Sequence, residues 1–341
     1  MSLSLDNIYV KHWVRKSATN VKEFMKDKKL AHLDLVMHYI NIEDSIHYNA
    51  VTTSSYLIYK EYITSSEQKE HSVEKFKDLK ETWAIEKMDK IKIQFEFNLP
   101  CITDGVHRAV LYKLLTKNSR ISSKYLSITY PKSIVDKIGA ALKNTTQTVH
   151  YNGWSNSRLI YGYHSFNIYN ICFTGQRNPN ERLDIMRKHY NFEDKYVLDL
   201  GCNTGGMLFH LTEIKKGFGA DFDQKCIDAC NLIKDNMLIY DHLCFEKYDL
   251  NTDDISPIFK DEKPDIVFLL SLGSWIKNWP ALYSLVLKNT KTIILETNNS
   301  HEGKAQLELF EKANCKVELI SSSSNDDITK NYGRQTYIIT V

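Results

Sequence analysis

The sequence has 341 residues, of which 44 are Lys or Arg and 42 are Asp or Glu, so its formal net charge is +2. A domain commonly has about 100–200 residues, so this length predicts two domains. Hydrophobic residues make up 43% and charged residues 25%, a composition that excludes wholesale disorder. The near-neutral balance gives no support to a broad nucleic-acid-binding surface. The chain has no apolar run of about 18 residues and no signal-peptide core, so we expect a cytoplasmic protein without membrane insertion.

The seven cysteines form no C-x-x-C pair, which favours a reduced compartment and buried thiols. Cys226 and Cys230 lie four residues apart on a predicted helix, but the sequence offers no two further ligands that would complete a structural zinc site. We therefore expect no metal site.

The amino-terminal half predicts an α+β domain over residues 1–150. Apolar residues recur at helical spacing in 21–40 and 65–88, so the first 90 residues are expected to be mostly helical. IKIQFEF then alternates like a strand that Pro100 ends, and VHRAVLYKLL predicts a helix. The polar run 143–158 has loop chemistry and is interpreted as the linker to a second domain over 151–341.

From Tyr196 onward, apolar runs alternate with helical stretches, which is typical of an α/β fold with a parallel sheet. YVLDLG, FGADF, DIVFLLSL and KTIILET are predicted strands. The late strands KVELI and RQTYIITV are separated by a short polar loop, which favours antiparallel pairing because a crossover helix would need a longer connection.

The most informative stretch is VLDLGCNTGGMLFHL, where Asp199 stands near a strand end and Gly201 and Gly205 occupy the following turn. Glycine lets the backbone turn sharply and lets a ligand approach closely. The spacing is G-x-x-x-G, unlike the G-x-G-x-x-G of a dinucleotide-binding turn. A carboxylate here would repel a pyrophosphate but suits the ammonium and sulfonium of S-adenosylmethionine.

Two further acids follow later strands. Asp221 stands about twenty residues after the glycine turn, where an acid can hydrogen-bond a ribose diol. Asp249 follows another short predicted strand and can accept from an adenine amine. Each acid alone is better explained as a helix cap or a solvated loop residue, whereas the ordered set of three predicts a cofactor pocket.

Residues 190–341 resemble class I S-adenosylmethionine-dependent methyltransferases in motif, strand order and reversed final strand. The resemblance implies a Rossmann-like seven-stranded domain in which Asp199, Gly201 and Gly205 line the methionine moiety. It also implies that Asp221 holds the ribose and Asp249 the adenine. Asn203 departs from the small residue that the family more often has there.

The lead-in FTGQRNPNERLDIMRKHY is similar to methyltransferases of surface-polysaccharide gene sets. That likeness implies that Gln176, Arg177 and Arg182 approach the cofactor or the substrate. The alternative is an amphipathic helix with solvated arginines.

Methyl transfer to a hydroxyl needs an aligned acceptor and a base, and we expect both at the ends of the fourth and fifth strands. His301 is the first candidate base, since its ordinary pKa of about 6.5 suits the task, with Glu296 or Glu302 to orient it. His164 is the second candidate base, and a surface histidine is the alternative for His301. The remaining residues of this region are candidates for cofactor or acceptor contacts: Ser271 for the cofactor and Trp275 for a sugar face.

In the amino-terminal half, CITDGVHR resembles the D-G-x-H-R box of ParB/sulfiredoxin-like domains over about residues 85–145. The resemblance implies that Asp104, His107 and Arg108 contact phosphate or nucleotide. Val106 stands where sulfiredoxin would have its catalytic cysteine, which argues against that redox activity. The alternative is a helix-capping Asp with a salt-bridged Arg.

The leading interpretation is a metal-independent O-methyltransferase that uses S-adenosyl-L-methionine to methylate a sugar, nucleotide-sugar or glycan acceptor of surface-polysaccharide type. A second is a tRNA- or nucleotide-modifying methyltransferase, which the charge balance does not favour. A third is a nucleotide- or nucleic-acid-binding ParB-like protein whose methyltransferase-like half is non-catalytic. A homodimer contact is a possible role for the first ninety residues.

Overall fold

The structure is a computed structural model that describes residues 2–15, 35–57, 59–60, 63, 72–96, 99–145, 161–298, 300–323 and 333–341. At residues 2, 13–15, 35–38 and 300–302 it describes the backbone alone. The chain divides into two compact units, Ser2–Pro131 and Lys132–Val341. No helix within these ranges is long and apolar enough to cross a membrane.

The first unit is built on a five-stranded mixed sheet. The strands that the structure describes in this unit are β1 (Ser2–Ser4), β2 (Tyr9–Arg15), β3 (Leu35–Asn41), β4 (Ile91–Glu96), β5 (Leu99–Asp104), β6 (Arg120–Ser122) and β7 (Leu126–Thr129). The sheet order is β3-β2-β5-β4-β7, and β1 pairs separately with β6. The helices described here are α1 (Ile46–Thr53), α2 (Val73–Thr82) and α3 (Val106–Thr116).

The prediction that the first 90 residues are mostly helical is wrong for 9–15 and 35–41. Strands β2 and β3 pair antiparallel along their whole length, from Tyr9 opposite Asn41 to Arg15 opposite Leu35. A long ladder satisfies backbone N–H and C=O groups of both strands, and tertiary pairing of this kind overrides local helical spacing. Residues 21–34 of that predicted helix lie outside the described residues.

Pro100 was expected to end a strand, but it lies inside β5. The ladder between β5 and β2 begins at Cys101, which pairs with Tyr9. Pro100 therefore stands outside that ladder, and its missing N–H breaks no hydrogen bond between β5 and β2.

The second unit carries a seven-stranded sheet of order β12-β11-β10-β13-β14-β16-β15. Its strands are β10 (Tyr196–Leu200), β11 (Lys216–Asp221), β12 (Leu243–Lys247), β13 (Ile266–Leu270), β14 (Thr292–Glu296), β15 (Lys316–Ser321) and β16 (Thr336–Thr340), preceded by a hairpin of β8 (Phe166–Ile168) and β9 (Ile171–Phe173). Strands β10 to β14 are parallel, whereas β16 runs antiparallel to β14 and to β15. The predicted α/β class and the antiparallel final pair are confirmed.

Helices connect these strands. They are α4 (Lys132–Thr145), α5 (Pro179–Arg187), α6 (Gly206–His210), α7 (Gln224–Asn236), α8 (Trp279–Asn289) and α9 (Ser300–Lys312). Helix α6 is shorter than the helix expected after the glycine turn, because the chain enters β11 by Lys216. The core lies between the sheet and helix α8, where Leu198, Val267 and Ile293 pack near Tyr283 and Val286.

The boundary between the units falls after Pro131, not at residue 150 as the loop chemistry suggested. Helix α4 packs against α7 of the second unit, and its Ile138 and Leu142 are buried. Burial of these two side chains ties α4 to the second unit. Residues 143–145 of the expected linker are helical, and residues 146–158 lie outside the described part of the chain.

Candidate active site

The glycine turn lies at the carboxyl edge of the sheet, directly after β10. Gly201, Asn203 and Gly205 all have positive φ, at 77°, 51° and 68°. A Cβ on Gly201 would lie 2.9 Å from Leu272 Cδ1, and one on Gly205 would lie 2.8 Å from Phe245 Cε1. The two glycines are therefore required both by backbone conformation and by close packing.

Asp221 closes this turn from the neighbouring strand. Its carboxylate accepts the backbone N–H of Asn203 at 2.8 Å and that of Asp223 at 3.0 Å. Burial raises the pKa of Asp221, and these backbone hydrogen bonds oppose that effect. Asp221 thus holds the left-handed residue of the turn in place.

Asp199 is 2% exposed, and its Oδ2 has no hydrogen-bond partner among the residues that the structure describes. Burial raises the pKa of Asp199 to about 7, with Arg182 acting in the opposite direction and Asp221 reinforcing the rise. A buried carboxylate oxygen without a donor is costly. Asp199 therefore keeps one oxygen that accepts no hydrogen bond from the described residues, although Arg182 lies near enough to lower its pKa.

The structure brings Asp199, Gly201, Asn203, Gly205 and Asp221 together at one edge. Asp249 follows β12 at the same edge, where its Oδ1 accepts the N–H of Asn251 at 2.9 Å. An aromatic residue that the sequence interpretation missed stands beside Asp221: Phe222 is 68% exposed. The sequence feature that could have identified Phe222 is a large apolar side chain immediately after an acid at a strand end.

Glu296 ends β14 and is the centre of a buried ion-pair cluster. Arg177 donates to its two oxygens from Nη1 at 2.8 Å and from Nη2 at 3.2 Å. Arg182 Nη2 lies 3.1 Å from Oε2, and the hydroxyl of Ser271 also donates to this carboxylate. Arg177 and Arg182 are 1% and 7% exposed. The alternative interpretation of these two residues as solvated arginines is therefore wrong.

This cluster changes the chemistry available to Glu296. Burial alone would oppose ionisation, but the charges of Arg182 and Arg177 outweigh it and hold the pKa of Glu296 below its ordinary range. The same contacts, with a hydrogen bond to Tyr163, raise the pKa of Arg177 against the effect of burial. Glu296 is therefore an ionised anchor for two arginines and is poorly suited to accept a proton.

The two candidate bases, His164 and His301, have different surroundings. His164 is buried on the segment before the glycine turn, and its backbone pairs with that of Arg177. The backbone of His301 lies in the first turn of α9, and its side chain lies outside the described part of the structure, as does that of Glu302. The assignment of His301 as base stays a prediction.

No family model matches this sequence. A curated relative, the tRNA U34 carboxymethyltransferase of Sulfurimonas denitrificans, is 26% identical over 99 residues, which are 28% of this chain and 33% of the relative. The solved structure of EvdMO1 aligns with a TM-score of 0.43 and 13% identity over 62% of this chain and 47% of its own. The bifunctional kinase-methyltransferase WbdD aligns with a TM-score of 0.40 and 23% identity over 49% and 40%. The chain thus spans about a third of the curated relative and less than half of each of these structures.

The remaining candidates of the second unit lie at its surface or in its core. Trp275 is 67% exposed after β13, and its backbone oxygen accepts from Asn251 Nδ2 at 3.3 Å. Gln176 is buried, and its backbone N–H donates to Gly162 at 3.4 Å. The described residues contain no group of His, Cys, Asp and Glu side chains that could hold a metal ion.

The D-G-x-H-R residues of the first unit have partners within the chain. Arg108 pairs with Asp104 at 2.9 Å and with Asp89 at 3.5 Å. His107 Nε2 lies 2.7 Å from the hydroxyl of Tyr59, and its ring packs 4.1 Å from that of Phe76. The predicted salt-bridged arginine is present, whereas the N-cap residue before helix α3 is Gly105 and no side chain caps the helix.

Proposed function

We propose that this chain is an S-adenosylmethionine-dependent methyltransferase of class I, Rossmann-like architecture. The observation that carries the proposal is the buried Oδ2 of Asp199, which has no donor among the described residues. It stands beside a sharp turn in which Gly201 and Gly205 have positive φ. S-adenosylmethionine supplies a cationic ammonium for this acid and an activated methyl group for transfer.

In this proposal, Asp199 binds the ammonium and Asp221, near the end of β11, binds the ribose. Phe222 offers an exposed aromatic face for the adenine, with Asp249 near the adenine amine. Asp221 also keeps the turn in its left-handed shape through its hydrogen bond from Asn203. The chain's main contribution is to orient the reactants and keep water out.

We propose His301 as the residue that removes the acceptor proton, because Glu296 is committed to two arginines and His164 is buried. A hydroxyl of a sugar, nucleotide sugar or glycan is the proposed acceptor, on the strength of the Gly-Gln-Arg lead-in. Transfer to tRNA is the second candidate, and the curated relative favours it. Incubating the chain with labelled cofactor and each acceptor class in parallel separates the two, since label in RNA alone would overturn the glycan assignment.

Asp199→Asn tests the cofactor site, because it keeps the side-chain shape and removes the charge. We expect the affinity for S-adenosylmethionine, measured by calorimetry, to fall about 10- to 100-fold, since a hydrogen bond to a charged group contributes about 1.5–3 kcal/mol. Asp228→Asn is the matched control, because Asp228 is exposed on α7. Equal affinities for the two variants would contradict the proposal.

A further inference from the structure

The loop that follows β13 is held from one side by the side chain of Asn251. Residues 271–277 form this loop, the Trp275 loop. Because β13 is parallel to β10, the loop leaves the sheet at the same edge as the glycine turn. Asn251 stands after β12, and its Nδ2 donates to the backbone oxygen of Trp275 at 3.3 Å. Its Oδ1 accepts the N–H of Lys277 at 2.8 Å, so one amide binds the loop at two points.

Asn298, which follows β14, holds the loop from the other side in the same way. Its Nδ2 donates to the backbone oxygen of Ser271 at 2.8 Å, and its Oδ1 accepts the N–H of Ser274 at 3.3 Å. Ser271 has a positive φ of 57°, a conformation that costs energy outside glycine and persists where the surroundings enforce it. A Cβ on Gly273 would lie 1.8 Å from Gln306 Nε2, so helix α9 also packs closely against the loop. These contacts fix the loop backbone.

The contacts from Asn251 and Asn298 use the backbone of the loop and leave the indole of Trp275 67% exposed. Tryptophan is highly buried on average, because its ring is large and mostly apolar. An aromatic ring on a fixed backbone loses little conformational entropy on binding, since only two side-chain dihedrals have to be ordered. The Trp275 loop thus presents a preorganised aromatic surface.

The strand order separates this indole from the proposed adenosine site. Asp221 and Phe222 stand at the end of β11, on one side of β10, whereas the Trp275 loop follows β13 on the other side. In the proposed function, Asp221 binds the ribose and Asp199 on β10 binds the ammonium. The methionine part, which carries the methyl group, then lies between the adenosine and the Trp275 loop. That loop therefore borders on the acceptor.

The charges beside the Trp275 loop favour a neutral acceptor. Asp249, Asp253 and Asp254 stand within three residues of Asn251, and Lys277 stands on the loop itself. Carboxylates in excess of cations repel phosphate groups, which nucleic-acid-binding surfaces neutralise with Lys and Arg. The C–H face of an uncharged sugar ring, in contrast, packs well on an aromatic ring.

We propose that Trp275 binds a neutral sugar ring of the acceptor, and that Asn251 and Asn298 are positioning residues that hold the loop for this contact. The inference rests on the proposed function and restricts its acceptor to a glycan with an uncharged ring next to the methyl group. It gives the two asparagines a role in acceptor affinity and not in proton transfer.

Ligand-observed NMR titrations test the sugar contact. The probes are the methyl glycosides of glucose, galactose and mannose, with uridine 5′-monophosphate as the phosphate-bearing alternative. Each probe is titrated with and without saturating S-adenosylhomocysteine, the demethylated cofactor, which blocks the cofactor site and prevents transfer. We expect at least one glycoside to bind with a dissociation constant of about 1–10 mM, the range for so small a ligand, and more tightly than the nucleotide.

Trp275→Ala should raise that constant about 5- to 10-fold, the loss expected for one aromatic contact, and leave the calorimetric affinity for S-adenosylmethionine unchanged. Asn251→Leu and Asn298→Leu should each raise it about 3- to 5-fold, as for a lost hydrogen bond. In the Trp275→Ala background neither asparagine variant should have a further effect, because a positioning residue acts only through the residue that it positions. Asn251→Asp, which still accepts the N–H of Lys277, should retain part of the affinity.

Asn289→Leu is the matched control, because Asn289 is a partly buried residue of α8 whose Nδ2 donates to the backbone oxygen of Leu285 at 2.9 Å. It should leave all these affinities unchanged. Weaker S-adenosylmethionine binding in Trp275→Ala would place the indole at the adenine and overturn the proposal. Binding of the nucleotide in preference to every glycoside would also overturn it. Additive losses in the double variants would show a merely structural role of the asparagines.

Failure of the sugar contact and failure of the proposed function give different results. If the wild type binds S-adenosylmethionine but none of the three glycosides, the sugar contact alone fails. If the wild type binds no S-adenosylmethionine, the proposed function fails, and the titrations without S-adenosylhomocysteine still decide whether Trp275 binds a sugar.

Discussion

At the scale of single residues, Asp199 differs from its neighbour Asp221 in the hydrogen bonds that its carboxylate accepts. Its carboxyl is buried in a strand of the sheet, and burial raises its pKa to about 7. Asp221 sits on the adjacent strand but receives two backbone N–H groups, so the two acids differ in what they can still bind. Asp199, whose Oδ2 accepts no hydrogen bond from the described residues, is the acid that we propose pairs with a cationic ligand.

This pKa predicts how cofactor affinity depends on pH. Below pH 7 the carboxyl of Asp199 is increasingly protonated in the empty site, and a neutral carboxyl cannot pair with an ammonium. We expect affinity for S-adenosylmethionine to fall as pH drops from 7 to 5.5, approaching tenfold per pH unit. Calorimetry in buffers of different ionisation enthalpy should show proton release near pH 7, and no release in Asp199→Asn. A pH-independent affinity in the wild type would contradict this account.

At the scale of elements, Glu296 joins three parts of the second unit. It ends strand β14, binds Arg177 just before helix α5 and Arg182 within that helix, and accepts from Ser271 after β13. Ser271 itself has a positive φ of 57°, and its N–H donates to the backbone oxygen of Glu296 at 2.8 Å. One carboxylate therefore fixes both the lead-in segment and the turn after β13.

Glu296→Gln should destabilise the second unit strongly, because it leaves two buried guanidinium groups without their counter-ion. Removing one partner of a buried pair commonly costs about 3–5 kcal/mol. Glu213→Gln is the control, because it breaks a partly exposed ion pair with Arg187, which lies on α5 as Arg182 does. We expect this variant to lose at most about 1 kcal/mol in the free energy of unfolding. Urea unfolding of both variants measures the difference, and similar midpoints would refute the anchoring role of Glu296.

At the scale of the whole molecule, the two units divide the predicted chemistry unequally. The cofactor candidates Asp199, Asp221 and Asp249 all belong to the second unit. In the first unit, Asp104 and Arg108 pair with each other and His107 joins a buried aromatic cluster. A phosphate-binding role for that box stays a prediction, and it would require Arg108 to leave two carboxylates.

The boundary can be tested with two fragments of the chain. A fragment of residues 132–341 keeps helix α4, and we expect it to bind S-adenosylmethionine with nearly the affinity of the full chain. A fragment of 151–341 loses the buried Ile138 and Leu142, and burial of each side chain contributes about 1.5–3 kcal/mol. It should therefore unfold at a clearly lower urea concentration. Equal stability of the two fragments would contradict the placement of α4 in the second unit.

The sequence alone was sufficient to predict a strand or a turn wherever the local pattern and the tertiary fold agree. The strands around Leu198, Val267 and Ile293 are continuous apolar runs because both faces of a central parallel strand are buried. The glycine turn was predictable as well, because a backbone at positive φ with no space for a Cβ requires glycine. The assignment of strands β2 and β3 as helix failed, because their pairing joins residues from 20 (Arg15 and Leu35) to 32 (Tyr9 and Asn41) positions apart and no local spacing encodes it.

The tertiary structure decided what the charged side chains do. From the sequence, Glu296 was a candidate to orient the base His301, His164 was the second candidate base, and Arg177 was equally well explained as a solvated residue. Folding brings Arg177 and Glu296, 119 positions apart, into a buried bidentate pair, and this contact fixes the protonation of Glu296. Titration depends on burial and on neighbours in space, so the sequence determined where the glycine turn lies and only the fold determined which acids beside it accept hydrogen bonds from the described residues.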